Sequence, residues 1–362
     1  MSEDDNQVAS ALVAVGSKAL AVRSETLVRR GLALAKSLQP GDADAHHNLG
    51  LALYLKGDLD GAIAEYHEAL RLNPNNILAH HSLGVALREK GDQEGAVAEC
   101  REALRLDPAC ELTHYWLGIA LQSKGDLEGA IVEYCTAIRL RPDLAANHCN
   151  LGAALYASRD LDGAIAEYRT AIRLQPGEAE AHLNLGLALQ AKGDLEGAIT
   201  EYRTAIRLQP DYAAAHYNLG AVLYCKDDLD RAIAECRTAI RLQPDYAAAH
   251  NNLGAMLYYK DDLEGAIAEY RTAIGFQPDF AEAHSNLGAA LRQKGDLDGA
   301  IEEYRTATRL DPDRADFHHD LGVVLFYKGD SDGAIAEHRE ALRLNPNFAD
   351  AHRVSAGEQG SA

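Results

Sequence analysis

The sequence predicts an all-α fold built as a solenoid, a stack of short helix–turn–helix units. Three observations predict it: a period of 34 residues, two apolar helical patterns in each period, and a turn signal after each pattern. A fixed period of this length indicates one supersecondary unit that is stacked many times. The copies cover residues 43–76, 77–110, 111–144, 145–178, 179–212, 213–246, 247–280, 281–314 and 315–348.

The first half of each copy predicts an amphipathic helix. In the copy at 179–212, Ala181, Leu185 and Ala188 recur at i, i+4 and i+7, which places them on one helical face. Gly193 then supplies a residue that readily adopts the left-handed conformation in which many helices end.

The second half of each copy predicts a second helix. It begins after Asp194, whose carboxylate can cap a helix N-terminus, and it ends before Pro210, which cannot continue a helix. Glu201, Arg203 and Arg207 lie on the remaining side of this helix, and we predict a solvated outer face there. Neither helix can bury its apolar stripe alone, so each unit needs its neighbours. The apolar face carries Ala198, Ile199, Tyr202, Ala205, Ile206 and Leu208.

The repeated unit resembles the tetratricopeptide repeat. Counted from the first residue of each copy, Leu at position seven, Gly at eight, Ala at twenty and twenty-seven, and Pro at thirty-two are present in all nine copies. The resemblance implies a right-handed superhelical α-solenoid in which the first helices line a concave groove. One departure is consistent, because position four is His here where the family pattern usually has Trp.

The ends of the chain depart from the repeat pattern. Residues 1–8 are predicted to form a disordered N-terminal tip, and residues 9–42 a degenerate capping repeat that keeps Gly16, Ala35 and Pro40 in register. Residues 349–362 form a short C-terminal tail that begins another first helix and then loses its pattern. The last second helix is therefore expected to be poorly covered, which makes the C-terminal end a candidate surface for self-association.

Composition narrows the class of protein. The net charge of −20 disfavours nucleic acid and anionic membrane surfaces as partners. The six cysteines include no CxxC pair, which favours a reduced, cytoplasmic protein. No apolar run approaches the roughly 20 residues that span a bilayer.

The resemblance implies that positions two, five, six, nine, twelve and thirteen of the first helices face the groove. Asparagine recurs at position six, and its amide offers both a donor and an acceptor to an extended peptide backbone. This row is similar to the asparagine ladder in the superhelical domain of O-linked N-acetylglucosamine transferases. The alternative interpretation is a solvated helix surface. The asparagines are Asn48, Asn150, Asn184, Asn218, Asn252 and Asn286.

Aromatic side chains accumulate at positions five, six and twelve of the first helices. On a groove wall they would serve as interface anchors. The alternative is that they pack between neighbouring first helices. These residues are Tyr115, Trp116, Tyr156, Tyr217, Tyr224 and Tyr258.

Histidine occupies position four throughout, from His46 to His352, and this raises the question of a metal site. One histidine per repeat separates neighbours by roughly a helix-pair width, about 9 Å, whereas zinc–nitrogen bonds are about 2.0–2.1 Å long. We therefore predict semi-buried packing residues, no metal and no other cofactor. The sequence also contains no nucleophile–base constellation, phosphate loop or dinucleotide fingerprint.

These patterns predict a non-enzymatic scaffold that binds protein or peptide partners of unknown identity in its groove. One alternative is a substrate-selecting or regulatory subunit that acts with a separately encoded glycosyltransferase. Another is a structural protein that self-assembles through its uncovered C-terminal end.

Overall fold

The computed structural model describes residues 42–346 of the chain. The predicted tip at 1–8, the capping repeat apart from its last residue, and the tail at 349–362 lie outside these residues. Within the described range the structure is entirely α-helical and contains no strand. The helices are α1 Ala43–Lys56, α2 Leu59–Leu72, α3 Ile77–Lys90, α4 Gln93–Leu106, α5 Glu111–Lys124, α6 Leu127–Leu140, α7 Ala145–Ala157, α8 Leu161–Leu174, α9 Ala179–Lys192, α10 Leu195–Leu208, α11 Ala213–Cys225, α12 Leu229–Leu242, α13 Ala247–Tyr259, α14 Leu263–Phe276, α15 Ala281–Lys294, α16 Leu297–Leu310, α17 Ala315–Lys328 and α18 Ser331–Leu344.

The chain divides into two compact units, and the division falls between α9 and α10. In the first unit, α1 to α9, each helix packs against the next, and the first helices α1, α3, α5, α7 and α9 also contact one another in succession. The second unit, α10 to α18, repeats this arrangement with α11, α13, α15 and α17 in successive contact. In each unit the first helices therefore form the inner layer. The all-α solenoid of helix pairs predicted from the sequence is confirmed.

The turn inside each pair is made by a residue in the left-handed conformation. Gly193 has φ of +89°, and Arg159, Asp227 and Asp261 adopt φ of +70°, +60° and +63° where glycine is missing. An L-residue with a side chain is strained in this conformation, Arg more than Asp. The turn is thus imposed by the packing of the two helices.

An aspartate and a glycine start each second helix together. In α2 the Asp58 carboxylate accepts a hydrogen bond from the Gly61 amide at 2.9 Å, and a Cβ on that glycine would lie 2.6 Å from Asp58 Oδ2. Glycine is needed here because the carboxylate folds back over the first turn. Where Arg231 replaces it in α12, Asp228 makes no capping bond and lies 3.3 Å from the Arg231 guanidinium instead.

Glycine at position eight lets the two helices of a pair approach closely. A Cβ on Gly118 would lie 2.6 Å from the ring of Tyr134, which is fully buried. Cys100 and Cys236 take the place of this tyrosine in two repeats and are 1% and 0% exposed. These two cysteines therefore replace a core aromatic side chain.

Candidate functional site

The asparagine row lies on the inner layer, and each of its six members is half-buried. Several members are tied to the preceding repeat. Asn150 Nδ2 donates to the Tyr115 hydroxyl at 3.0 Å, and Asn286 Nδ2 donates to Asn251 Oδ1 at 3.0 Å. A bond of the same register joins His47 and Ser82 at 3.0 Å. Position six therefore also links successive first helices.

Asn184 and Asn218 make no side-chain hydrogen bond to a neighbouring repeat within the described residues. Asn218 Nδ2 donates to the Ala214 carbonyl of its own helix at 2.8 Å. Asn184 makes no side-chain hydrogen bond to any residue in the 42–346 range. Their amides retain unused hydrogen-bonding capacity at a half-buried surface.

Position five is mostly packed between first helices and does not face a groove. His47, His81, Tyr115, Leu183 and Asn251 are all less than one-tenth exposed. The expectation that position five faces the groove is wrong for these residues. Part of this packing could have been predicted from the sequence. The residue 35 positions after position five is position six of the next repeat, which is often polar and can form a hydrogen bond with position five.

Trp116 and Tyr115 are buried and do not present a surface to a ligand. They are 2% and 4% exposed, and their rings make an edge contact with centroids 5.4 Å apart. The His81 ring also makes an edge contact with Trp116, and the Arg88 guanidinium lies 5.3 Å from the Trp116 ring centroid. The prediction that Tyr115 and Trp116 are anchors on a groove wall is therefore wrong, because they pack between the first helices of consecutive repeats.

The other predicted aromatics remain half-buried. Tyr217 packs on Tyr246 with ring centroids 4.9 Å apart, and Tyr224 makes an edge contact with Tyr259 at 6.2 Å. Tyr156 and Tyr258 are also partly accessible. Among the described residues of the inner layer, the most exposed aromatics are Tyr259, Phe326 and Tyr327, at 69%, 51% and 68%.

A polar cluster near the C-terminal end of the second unit contains groups without partners. The Tyr304 hydroxyl is buried and has no hydrogen-bond partner within the described residues. Burial is the main cause that raises its pKa, and Asp320 and Tyr258 act in the same direction while Arg292 opposes them. Burial likewise raises the pKa of the Asp320 carboxyl, although Arg292 acts to lower it. A buried hydroxyl without a partner carries a desolvation cost that no hydrogen bond offsets.

The recurrent histidines form a structural pair with the second helix. His80 Nδ1 lies 2.6 Å from Glu99 Oε2, and His80 Nε2 lies 3.0 Å from the Pro74 carbonyl oxygen. This corrects the expectation that position-23 glutamates belong to a solvated outer face. Further pairs with the same 19-residue separation are His46–Glu65, His114–Glu133, His148–Glu167, His216–Glu235, His250–Glu269, His284–Glu303 and His318–Glu337.

The position-four histidines serve to pack the first helix of each repeat against the second. Both ring nitrogens of His80, His148 and His250, for example, lie within hydrogen-bond distance of oxygen atoms, so they are engaged within the structure. Across residues 42–346 no group of three or more His, Cys, Asp or Glu side chains is placed to hold a metal ion. None of the helices in that range has the length and apolar content that a membrane span requires.

Models of the tetratricopeptide repeat match nearly the whole described chain. The matches cover residues 50–91, 86–125, 121–159, 154–193, 190–227, 213–246, 254–292, 288–329 and 315–348. The chain belongs to the tetratricopeptide repeat family. Proteins of this family generally mediate protein–protein interactions. No curated protein sequence matches the chain.

Solved structures with tetratricopeptide-type architecture share the fold. The APC/C hetero-tetramer Cut9–Hcn1 is 17% identical with a TM-score of 0.59, covering 87% of this chain and 75% of that one. The human IFIT1 dimer with m7Gppp-AAAA is 17% identical with a TM-score of 0.55, covering 91% and 83%. PilF of Pseudomonas aeruginosa is 21% identical with a TM-score of 0.52, covering 58% and 96%. At these identities the similarity concerns the fold alone.

Proposed function

We propose that this tetratricopeptide repeat chain is a non-enzymatic, cytoplasmic scaffold that binds extended peptide segments of partner proteins. The binding surface is the first-helix face, which we define as the accessible side chains at positions two, six, nine, twelve and thirteen of the first helices, together with the half-buried Tyr217 at position five. Its contact residues are Asn48, Asn150, Asn184, Asn218, Asn252, Asn286, Tyr156, Tyr217, Tyr224 and Tyr258.

One observation carries this proposal. The position-six asparagines are half-buried and retain hydrogen-bonding capacity, while apolar side chains such as Leu187, Ala221 and Ala255 at position nine stay partly accessible beside them. A peptide backbone needs donors and acceptors, and its side chains gain from apolar contact. The first-helix face supplies both at regular intervals along an inner layer.

The bonds between repeats limit which asparagines can serve as a test. Asn150 and Asn286 link successive first helices, so removing either would change stability as well as binding. Asn184 and Asn218 make no such link within the described residues, and they are the sharper probes.

The test is affinity purification with mass spectrometry. The wild-type chain is compared with Asn184→Ala/Asn218→Ala and with the outer-face control Thr170→Ala/Thr204→Ala. We expect the asparagine variant to lose partners that the wild type and the control retain, with similar melting temperatures for all three. Equal recovery of the same partners by all three would overturn the proposal.

The same experiment addresses the alternative of a subunit that selects substrates for a separate transferase. The resemblance of the asparagine row to that of O-linked N-acetylglucosamine transferases motivates this alternative. Recovery of a glycosyltransferase with the wild-type chain, and its loss from the asparagine variant, would favour it over a general scaffold.

A further inference from the structure

The outer face of the second unit carries a regular series of exposed arginines. They occupy positions 25 and 29 of the second helices, one helical turn apart and on the same side of each helix. All are exposed to solvent. We call this series the arginine stripe; it consists of Arg203 and Arg207 of α10, Arg237 and Arg241 of α12, Arg271 of α14, and Arg305 and Arg309 of α16.

The position-29 arginines of the stripe, Arg207, Arg241 and Arg309, lack the partner that the equivalent arginines have in the first two and the last of the described repeats. Arg71, Arg105 and Arg343 each pair with a glutamate three residues earlier, at 2.6, 2.7 and 2.6 Å. In the repeats of the stripe this glutamate is replaced by threonine. No guanidinium of the stripe makes an ion pair with any described residue.

Apart from Glu302 of α16, the carboxylates of the same helices are engaged with lysines or histidines. Asp230, Glu264 and Asp298 pair with lysines of the following repeat at 2.7, 2.7 and 2.6 Å. The position-23 glutamates are bonded to histidines. The stripe therefore presents unneutralised positive charge on a chain whose net charge is −20.

The shape of the surface adds to the charge. Arg305, Thr306 and Arg309 line an open depression of about 460 Å³. Asp298, Ile301 and Glu302 line the same depression, so carboxylates border the arginines on that helix. A partner must therefore align its negative charges with the arginines and keep them away from the Asp298 and Glu302 carboxylates.

We propose that the arginine stripe binds an acidic, extended protein segment rich in Asp and Glu. Guanidinium groups pair with carboxylates through two parallel hydrogen bonds, and a single extended chain is narrow enough to follow the stripe. Single-stranded nucleic acid fits less well, because its bases gain from stacking on aromatic side chains and Phe276 is the one exposed aromatic on these four helices. A flat anionic bilayer would bring its phosphates against the bordering carboxylates.

The experiment compares two variants of the full chain that change the net charge equally. Arg207→Gln/Arg241→Gln/Arg309→Gln removes the unpaired position-29 arginines of the stripe, and Arg71→Gln/Arg105→Gln/Arg343→Gln removes the paired arginines at the same position. The probe is a fluorescein-labelled peptide of alternating Glu and Ser, measured by fluorescence anisotropy. A labelled oligouridylate and vesicles containing phosphatidylserine are measured in parallel.

We expect the wild type to bind the acidic peptide, and the stripe variant to bind it about tenfold more weakly, since each exposed ion pair contributes roughly a 1.5- to 5-fold change. The paired-arginine variant should bind within about twofold of wild type, and added salt should weaken binding because these charges are exposed. Absence of peptide binding, equal loss in both variants, or tighter binding of the oligouridylate or vesicles would overturn the proposal. The stripe is separate from the first-helix face, so the asparagine variant should bind the acidic peptide normally.

Discussion

Single residues in the turns adopt a backbone conformation that their side chains disfavour, because the packing of the two helices requires it. Arg159 occupies the left-handed conformation at φ of +70°, at a position where glycine stands in most repeats. The strain of a left-handed residue with a side chain is about 1–2 kcal/mol. Replacing Arg159 with glycine would relieve this strain, but part of the gain in stability would be offset because glycine gives the unfolded chain more freedom.

Arg159→Gly should therefore stabilise the chain. We expect the free energy of unfolding to rise by roughly 0.5–1 kcal/mol, measured by urea denaturation. Asp261→Gly is the matched control, because Asp261 tolerates the conformation better and also accepts a hydrogen bond from Gln293 at 3.2 Å. A variant at Arg159 that is less stable than wild type would contradict this explanation of the turn.

The capping aspartates provide a second test at the scale of one residue. Asp126 accepts a hydrogen bond from the Gly129 amide at 2.9 Å, whereas Asp228 makes no capping bond. Asp126→Ala should lower the free energy of unfolding by about 1 kcal/mol, and Asp228→Ala should lower it much less. Equal effects of the two substitutions in urea denaturation would show that the cap bond is not the stabilising feature.

At the scale of the helix pair, the histidine–glutamate contact holds the two helices in register. The hydrogen bond that His216 donates to the Glu235 carboxylate is the main cause that raises the pKa of His216 above its ordinary value of 6.5, while burial acts to lower it. A histidine whose folded pKa is raised stabilises the fold below the unfolded pKa. That contribution is lost as the pH rises through the folded pKa.

Glu235→Gln should therefore lower the pKa of His216 and reduce stability in a pH-dependent way. We expect the stability difference from wild type to be larger near pH 5.5 than near pH 8, because the paired imidazolium is present only at the lower pH. NMR titration of His216 measures the pKa, and urea denaturation at both pH values measures the stability. An unchanged His216 pKa would refute the pairing as the cause of the shift.

The helix pairs also show what the sequence could and could not predict. The turn at Gly193, the cap at Asp194 and the stop at Pro210 follow from local chemistry, and α9 and α10 have the expected ends. The His80–Glu99 and Asn150–Tyr115 contacts depend on how two helices are aligned, which no local pattern encodes. Trp116 was expected on a surface because its helical position suggested exposure, but the larger side chain packs inward between repeats.

At the scale of the whole molecule, two faces of the solenoid have different chemistry. The first-helix face offers amides and half-buried aromatics, and the arginine stripe offers exposed positive charge. The two surfaces are expected to bind different partner segments, one by backbone contacts and the other by carboxylates. A scaffold with two such faces could hold two partners together.

The alternative of self-assembly also belongs to this scale. Residues 347–362 lie outside the described range, so association through the C-terminal end stays a prediction. Static light scattering of the full chain over a wide concentration range tests it. A mass that rises with concentration would support self-assembly, and a constant monomer mass would remove it.

The central claim, that the first-helix face binds peptide segments, is tested most directly by photo-crosslinking. A benzophenone amino acid replaces Tyr258 on the first-helix face or, in a matched control, the exposed Ala64 of α2 on the outer layer. Partners recovered by affinity purification are irradiated with each protein, and the crosslinked peptides are mapped by mass spectrometry. The account predicts crosslinks to one short partner segment from position 258 and none to it from position 64. Crosslinks from position 64 alone would contradict it.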